Sequence, residues 1–237
     1  MKTKMNILDH LVELRRRIFY ILLVVLALTI FSFNSSDLIF RFLSEPYFLS
    51  FKDESLIGTG PMEAFILRIK VAIFFGVIIS IPWIFLQIWF FIEPALYDKE
   101  KKLLIPFVFF TSILFLGGTF LCYQYVLPIA FEFFYQQYQA IGVVPTIRIT
   151  EHLSLIIKIL FAFGLIFEIP IISFFLAKLG LITSQDMLAS WRYVVVGAFV
   201  IGAILTPPDI ISQLLMAIPM IFLYLVSILI VKVVEKQ

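Results

Sequence analysis

Three carboxylates stand out in this chain because the residues around each of them suggest a binding partner. Glu13 precedes three consecutive arginines, Glu100 lies in a short charged segment, and Glu168 lies inside a long apolar stretch. A carboxylate accepts hydrogen bonds and pairs with cations, most effectively with the planar fork of an arginine. The chemistry available here is therefore recognition of cations and hydrogen-bond donors, and it depends on the elements that position these side chains.

The composition indicates that lipid surrounds most of those elements. Of the 237 residues, 62% are hydrophobic and 14% are charged, whereas soluble proteins have about 45–50% and about 25%. A soluble fold of this length cannot bury so much apolar surface. A disordered chain and a disulfide scaffold are excluded by the same numbers, and Cys122 is the only cysteine. The net charge of +2 is too small to predict a nucleic-acid partner.

Hydropathy predicts an all-α polytopic membrane protein with six transmembrane helices. The apolar segments are 18–33, 64–91, 103–125 with a helical extension to 134, 153–179, 193–205 and 210–234. Pro82 is expected to kink the second span, and Pro207-Pro208 separate the last two. The fifth segment covers only about 20 Å of a hydrocarbon core of about 30 Å. Either the fifth helix begins outside the core or the bilayer thins around it.

The basic residues predict that both termini are cytoplasmic. Six spans leave the two termini on one side of the membrane, and that side receives 12 of the 18 Lys and Arg residues. The opposite side receives three, and three more lie within or beside spans. Cytoplasmic loops carry the excess of Lys and Arg. No linker or internal repeat divides the chain, so residues 1–237 are predicted to form one domain.

The segment before the first span, about 6–17, is predicted to be an amphipathic helix at the membrane interface. Its apolar stripe comprises Ile7, Leu11, Leu14 and Ile18. Glu13 lies on the polar face, four residues before Arg17. This spacing favours a local ion pair worth about 0.3–0.5 kcal/mol. A binding role for Glu13 is the alternative interpretation.

The connection between the second and third spans combines charges with apolar residues. Pro94 is predicted to end the second helix, Asp98 to cap the third, and Glu100 to lie in its first turn, where the helix dipole favours a carboxylate. Capping does not explain the neighbouring apolar residues, which are Phe91, Leu96 and Tyr97.

Glu168 is predicted to lie near the middle of the fourth span. A charged side chain there costs about 2.5–3.5 kcal/mol on insertion scales, so it should face a cavity or a partner. A hydrogen bond to a neighbouring helix is the structural alternative. Lys158 lies ten residues earlier, about 15 Å along the axis, which is too far for a direct pair.

Four stretches together resemble the TatC family of twin-arginine translocase subunits, and the resemblance covers nearly the whole chain. They are HLVELRRR at 10–17, FIEPALYDKEK at 91–101, AFGLIFEIP at 162–170 and TPPDIISQ at 206–213, which is followed by AIP at 217–219. Each motif alone is weakly specific, whereas all four in order on a six-span chain are highly specific.

The resemblance implies a receptor for signal peptides that carry paired arginines, which helps to export folded proteins with proton-motive force. It assigns the arginine contacts to Glu13 and Glu100. The signal-peptide site that we expect comprises Glu13, Glu100, Arg15, Phe91, Leu96, Tyr97 and Lys101. Neither an enzymatic activity nor a cofactor is implied.

The resemblance also implies partners and an architecture. The partners are single-span subunits of the TatA and TatB types, with self-association in the complex, and the fold is a concave, glove-like bundle with short fifth and sixth helices. The expected partner-facing or intramembrane residues are Glu168, Pro46, Asp209 and Gln213. Glu93 has no assigned role beyond capping or loop packing. The expected location is the bacterial cytoplasmic membrane, with archaeal and thylakoid membranes as open alternatives.

Two rival functions have weaker support in the sequence. An ion- or proton-coupled secondary transporter that uses Glu168 would be expected to contain an inverted repeat and discontinuous helices at the midplane, and no repeat is visible. An intramembrane enzyme lacks support because no H-E-x-x-H or G-x-S-x-G motif occurs. One cysteine and two separated histidines, His10 and His152, do not predict a metal site.

Overall fold

The structure, a computed structural model, describes residues 7–51, 55–95, 104–205 and 210–235. Within these ranges nine α-helices follow one another, and an isolated bridge pairs Ile57 with Arg148. The helices are α1 (Ile7–Phe33), α2 (Ser36–Ser50), α3 (Glu63–Ile92), α4 (Leu104–Leu121), α5 (Leu127–Ala140), α6 (Ile149–Ile166), α7 (Ile169–Lys178), α8 (Ser184–Leu205) and α9 (Ile210–Val234). A 3₁₀ turn follows α3 at Glu93–Ala95, and a π-helical turn joins α4 to α5 at Cys122–Val126.

The six predicted spans are confirmed. Six helical stretches of the described chain are long and apolar enough to cross a membrane, so this is a multi-pass membrane protein. The third stretch runs through the π-helical turn from Ile105 to Ala140, and the fourth runs from Ile149 to Lys178 across the break between α6 and α7. Pro94 follows the end of α3, as the sequence predicted.

The fifth and sixth spans are shorter than the second, third and fourth, but the fifth extends beyond its apolar segment. The helix α8 has 22 residues and α9 has 25, or about 33 and 38 Å at the usual rise. The extra turns of α8 begin with a reciprocal cap, because the Thr183 amide donates to the Asp186 carboxylate at 2.9 Å and the Asp186 amide donates to the Thr183 hydroxyl at 3.1 Å. The predicted start of this helix at residue 193 is therefore corrected to Ser184, and hydropathy missed these turns because five of the nine residues 184–192 are polar or charged.

Two further differences concern the first 50 residues. The predicted amphipathic segment is helical from Ile7, and it continues without a break into the first span as α1. The connection between the first and second spans contains α2, which hydropathy did not predict. Its buried aliphatic and aromatic side chains recur every fourth position, as a helix with one packed face requires. They are Ile39, Leu43, Tyr47 and Phe51, the last of which immediately follows α2.

The chain divides into two compact units. The first comprises Met1–Phe40 and Phe65–Ile113, and in it α1 and α3 pack side by side in opposite directions. Gly76 lies against Thr29, where an added Cβ would come within 2.9 Å of the Thr29 backbone nitrogen. About two turns nearer the end of α3, the Trp83 indole donates to the Tyr20 carbonyl at 3.3 Å. Small residues at such contacts allow helix backbones to approach closely in membranes.

The second unit comprises Arg41–Ala64 and Leu114–Gln237. In it α9 packs against both α7 and α8. The Tyr224 hydroxyl donates to the Met187 carbonyl at 2.8 Å, and the Ser184 hydroxyl donates to the Glu235 carboxylate at 2.6 Å. These bonds tie the start of α8 to the last turns of α9. The same unit holds Glu168.

Gly118 is expected to be sensitive to substitution because it makes the contact between the third span and Phe167. A Cβ added at Gly118 would lie 2.5 Å from the Phe167 ring, so Gly118→Ala should destabilise the protein by about 1–3 kcal/mol. Gly117 provides a matched control, since a Cβ there meets nothing within 4 Å. Thermal unfolding of both variants in detergent would measure the difference, and equal midpoints would contradict the assigned packing.

Candidate functional site

The first candidate site lies where α1 begins and α3 ends. The Arg17 guanidinium donates to Glu13 Oε1 at 3.0 Å and to Gln87 Oε1 at 3.3 Å. It also lies over the Phe90 ring, 5.1 Å from its centroid. The predicted ion pair between Glu13 and Arg17 is therefore present, and it is fixed to the second span through Gln87 and Phe90.

This arrangement holds the Glu13 carboxylate at a defined place. One helical turn separates Glu13 from Arg17, so α1 presents both on one face. Gln87 is 3% exposed and lies on the packed face of α3, so the contact does not depend on a mobile surface side chain. The Glu13 side chain is 18% exposed. A carboxylate in this position is partly shielded from water and still accessible to a ligand.

Aromatic contacts extend the site towards the end of α3. The His10 ring stacks on the Phe91 ring with centroids 4.5 Å apart and an interplanar angle of 25°. Phe91 is half-buried, which leaves part of its ring available to an apolar ligand. The structure thus brings together two of the predicted site residues, Glu13 and Phe91, at one end of the first unit.

The three consecutive arginines have different surroundings. Arg17 binds Glu13, whereas Arg16 donates to the Tyr20 hydroxyl at 3.1 Å. Arg15 is exposed and makes no hydrogen bond or ion pair within the described residues. Because helical neighbours point in different directions, the cluster does not act as one charge. Arg15 and Arg16 are both exposed, and of these two only Arg15 has no polar partner within the described residues.

Sequence reasoning missed His10, Gln87 and Phe90 as members of this site. Gln87 could have been found, because it is an isolated amide in the apolar stretch 81–92, and a polar residue inside a span is a functional candidate. The other predicted residues of the site lie outside the described part of the chain. They are Leu96, Tyr97, Glu100 and Lys101, and Asp209 in the last turn lies outside it too.

The second candidate site is the Glu168 carboxyl group in the fourth span. Pro170 lacks the amide hydrogen that would bond to the Ile166 carbonyl, and the helix breaks into α6 and α7 at this point. Glu168 begins the second part, since its carbonyl accepts the Ile172 amide at 2.9 Å. The break therefore places an acidic side chain at a helix junction within the span.

Glu168 is deeply buried and lacks a polar partner in the described structure. It is 3% exposed, and neither carboxyl oxygen has a hydrogen-bond partner within the described residues. Lys158, in the same span, is exposed rather than directed towards it. A buried polar group without a hydrogen bond costs about 1–3 kcal/mol, and a charged one costs more. The hydrogen bond to a neighbouring helix, which was the structural alternative, is absent from the described residues.

The remaining predicted residues of the second unit are engaged within the chain. Pro46 is buried in α2. Gln213 is half-buried, and its side-chain amide donates to the Phe199 carbonyl at 2.8 Å. Gly202 lies close by, with an added Cβ 3.2 Å from the Gln213 carbonyl oxygen. Gln213 thus helps to join α8 to α9.

A further polar cluster fixes the connection between α2 and α3. The Glu63 carboxylate accepts the Thr59 amide at 2.6 Å and also contacts the Thr150 hydroxyl. The Ile57 amide donates to the Ile147 carbonyl at 3.0 Å. These bonds attach the connection to the start of the fourth span. Within the described residues, no group of three or more His, Cys, Asp or Glu side chains could hold a metal ion.

Comparison with known proteins agrees with these features. A family model described as "Sec-independent protein translocase protein (TatC)" matches residues 9–219. The TatC protein of Campylobacter jejuni is 40% identical over 228 residues, which cover 95% of this chain and 93% of the relative. The TatC protein of Aquifex aeolicus is 36% identical over 234 residues, which cover 98% and 97%.

A solved structure of the same kind has the same fold. A crystal structure of the twin-arginine translocase receptor TatC matches with a TM-score of 0.86 at 36% identity, over 95% of this chain and 99% of that one. A second crystal structure of that receptor, in the detergent DDM, also gives a TM-score of 0.86, at 37% identity. The family match, the relatives and the shared fold agree over almost the full length. The chain therefore belongs to the TatC family of Sec-independent protein translocase proteins.

Proposed function

We propose that this protein is the receptor and core subunit of a twin-arginine translocation system in the bacterial cytoplasmic membrane. Its termini are cytoplasmic, and its cytoplasmic face binds the paired arginines of signal peptides on folded cargo proteins. The observation that carries this proposal is the partly shielded Glu13 carboxylate, which Arg17 holds while Arg17 itself donates to Gln87. One turn earlier on α1, His10 stacks on the half-buried Phe91 ring.

Fixing Glu13 before the ligand arrives favours arginine recognition. Arg17 occupies one carboxylate oxygen at 3.0 Å, and a carboxylate offers about four acceptor positions on its two oxygens. A guanidinium of the signal peptide can therefore bind without displacing Arg17. Because Arg17 already restrains the Glu13 side chain, little side-chain entropy is lost when the ligand binds.

The rest of the proposed site supplies a second acid and an apolar surface. Glu100 takes the second guanidinium of the pair, and the apolar part of the signal peptide lies against Phe91, Leu96 and Tyr97. Arg15 and Lys101 belong to the proposed site as well. Their positive charges repel a guanidinium that is not paired with one of the two carboxylates. This division of roles requires two arginines and a following apolar segment, which are the features of a twin-arginine signal.

A signal peptide with a lysine pair should bind this protein roughly tenfold more weakly than one with an arginine pair. Lysine offers a compact point charge, whereas the arginine fork matches a carboxylate with two parallel hydrogen bonds. Binding of the two fluorescently labelled peptides to the purified protein in detergent would measure the ratio. A third peptide, with the arginines moved away from the apolar segment, controls for total charge. Equal affinities for all three peptides would contradict the proposal.

Glu168 supports a second part of the same function. Single-span partners of the TatA and TatB types dock in the membrane, and a polar group of a partner helix bonds to the Glu168 carboxyl. Support comes from the burial of Glu168 and from its two carboxyl oxygens, which lack hydrogen bonds within the described residues. A hydrogen bond across helices is worth about 1–2 kcal/mol in membranes. Asp209 and Gln213 contribute to the same docking region, and copies of the receptor associate in the working complex.

A further inference from the structure

The proposed function does not use the π-helical turn that interrupts the third span at Cys122–Val126. Such turns are rare, and they redirect side chains that a regular α-helix would place elsewhere. This turn presents Tyr123 to α2, where the Tyr123 hydroxyl donates to the Phe42 backbone carbonyl at 2.7 Å. The rings of the two residues also stack, with centroids 4.5 Å apart and an interplanar angle of 18°.

The accepting carbonyl is the one that Pro46 frees. In an α-helix the carbonyl of residue i accepts the amide of residue i+4, and residue i+4 from Phe42 is Pro46. Proline has no amide hydrogen, and its ring pushes the carbonyl four residues earlier away from the helix axis. The Phe42 carbonyl therefore lacks its helical donor and is turned outward, where another donor can reach it.

We propose that Pro46 and Tyr123 form one positioning device, in which the proline frees the Phe42 carbonyl and Tyr123 supplies the donor that satisfies it. We call these three residues, Phe42, Pro46 and Tyr123, the proline latch. The latch joins α2 to the third span by a directional bond as well as by apolar contact. It gives Pro46 a role inside the chain, which agrees with its burial. Tyr123 acts as a positioning residue for α2.

The latch complements the other contacts of α2. Leu43 and Tyr47 are buried, and the Ser44 hydroxyl lies 3.1 Å from His152 Nε2. Ser44 is two residues from Phe42, about 200° around the helix, so this polar contact lies on nearly the opposite side. Bonds on two sides fix the rotation of α2 about its own axis, whereas apolar packing alone tolerates small rotations because it is not directional. The latch thus determines which residues α2 exposes.

Glu45 is a competing acceptor that the test has to separate. Its carboxylate lies 3.3 Å from the Tyr123 hydroxyl. A hydroxyl has one hydrogen to donate, and the Phe42 carbonyl is nearer by 0.6 Å. If the latch is correct, removing the Glu45 carboxylate leaves the role of the Tyr123 hydroxyl intact.

A double-mutant cycle on the purified full-length protein in detergent tests the latch, and it does not depend on the proposed receptor function. Tyr123→Phe removes the hydroxyl and keeps the ring, so it should lower the thermal unfolding midpoint by about 3 °C or more. Pro46→Ala restores an amide that can bond to the Phe42 carbonyl. In the Pro46→Ala background, Tyr123→Phe should then shift the midpoint by less than about 1 °C.

Control variants assign each outcome. Tyr125→Phe removes an exposed hydroxyl from the same π-helical turn and should change nothing, and Tyr123→Phe should keep its full effect in a Glu45→Ala background. Equal effects of Tyr123→Phe in the wild-type and Pro46→Ala backgrounds would overturn the latch, as would an effect that disappears with Glu45→Ala. If Pro46→Ala does not fold, the rates of amide hydrogen exchange in Tyr123→Phe decide whether the latch exists. The latch requires faster exchange in residues 43–50 than in wild type, and unchanged exchange there would refute it.

Discussion

Glu13→Gln should weaken binding of a twin-arginine peptide by about tenfold or more. A hydrogen bond to a charged group contributes about 1.5–3 kcal/mol, and an amide can neither supply the charge nor accept two parallel bonds from a guanidinium. The amide oxygen can still accept the bond that Arg17 now donates to Glu13. The substitution therefore tests the charge of Glu13 with its local contact preserved.

The same variant should also lose discrimination between peptides. Wild type is expected to prefer the arginine pair over the lysine pair roughly tenfold, and this preference should shrink when Glu13 is replaced, because the arginine fork loses its acceptor. Glu132→Gln removes an equal charge from an exposed position on α5 and serves as the control. Affinities of both peptides, measured in detergent, give the loss of binding relative to wild type and the preference for arginine over lysine. Full retention of affinity and preference in Glu13→Gln would refute the role of this residue.

Glu168→Leu is expected to change two properties in opposite directions. The isolated protein should become more stable by about 1–3 kcal/mol, because the substitution removes a buried polar group without hydrogen bonds and leaves an apolar group of similar volume. Co-purification of a TatB-type subunit should fall, because its polar group then loses an acceptor within the membrane. If Glu168 only stabilised its own chain, Glu168→Leu would instead make the isolated protein less stable.

Two measurements separate these effects. Thermal unfolding of the purified protein reports stability, and the ratio of subunits after affinity purification from membranes reports association. Glu168→Gln keeps an acceptor oxygen and should retain more of the partner than Glu168→Leu does. Lys158→Leu controls for the loss of an exposed charge from the same span. Reduced stability of Glu168→Leu together with normal partner recovery would return Glu168 to a structural role.

Local sequence was sufficient for the spans and for the Glu13–Arg17 contact. Hydropathy located six spans because burial in lipid demands long apolar helices. The four-residue spacing of Glu13 and Arg17 predicted their contact because a helix places such residues on one face. Helical spacing could not predict that Gln87, 70 residues away, accepts a hydrogen bond from the same Arg17 guanidinium, because that bond depends on how α1 and α3 align.

The polar ends of helices were harder to predict than their apolar middles. The first turns of α8 begin with the Thr183–Asp186 cap and mix polar with apolar residues, so hydropathy placed the start of the fifth span at residue 193. The helix α2 has a packed face of regular spacing, but it also contains Pro46 and several exposed polar residues. Tertiary packing stabilises this helix in spite of its proline, which local propensity would not predict.

By itself, the sequence determined the class of the protein, its six membrane spans and the motifs that resemble the TatC family. Tertiary structure decided what each polar side chain does. It paired Arg17 with Gln87, left Glu168 buried without a hydrogen bond among the described residues, and brought Tyr123 to the carbonyl that Pro46 frees. The reason is physical: hydrophobicity and helical spacing are properties of neighbouring residues, whereas a hydrogen bond between distant residues exists only when packing aligns the donor and the acceptor.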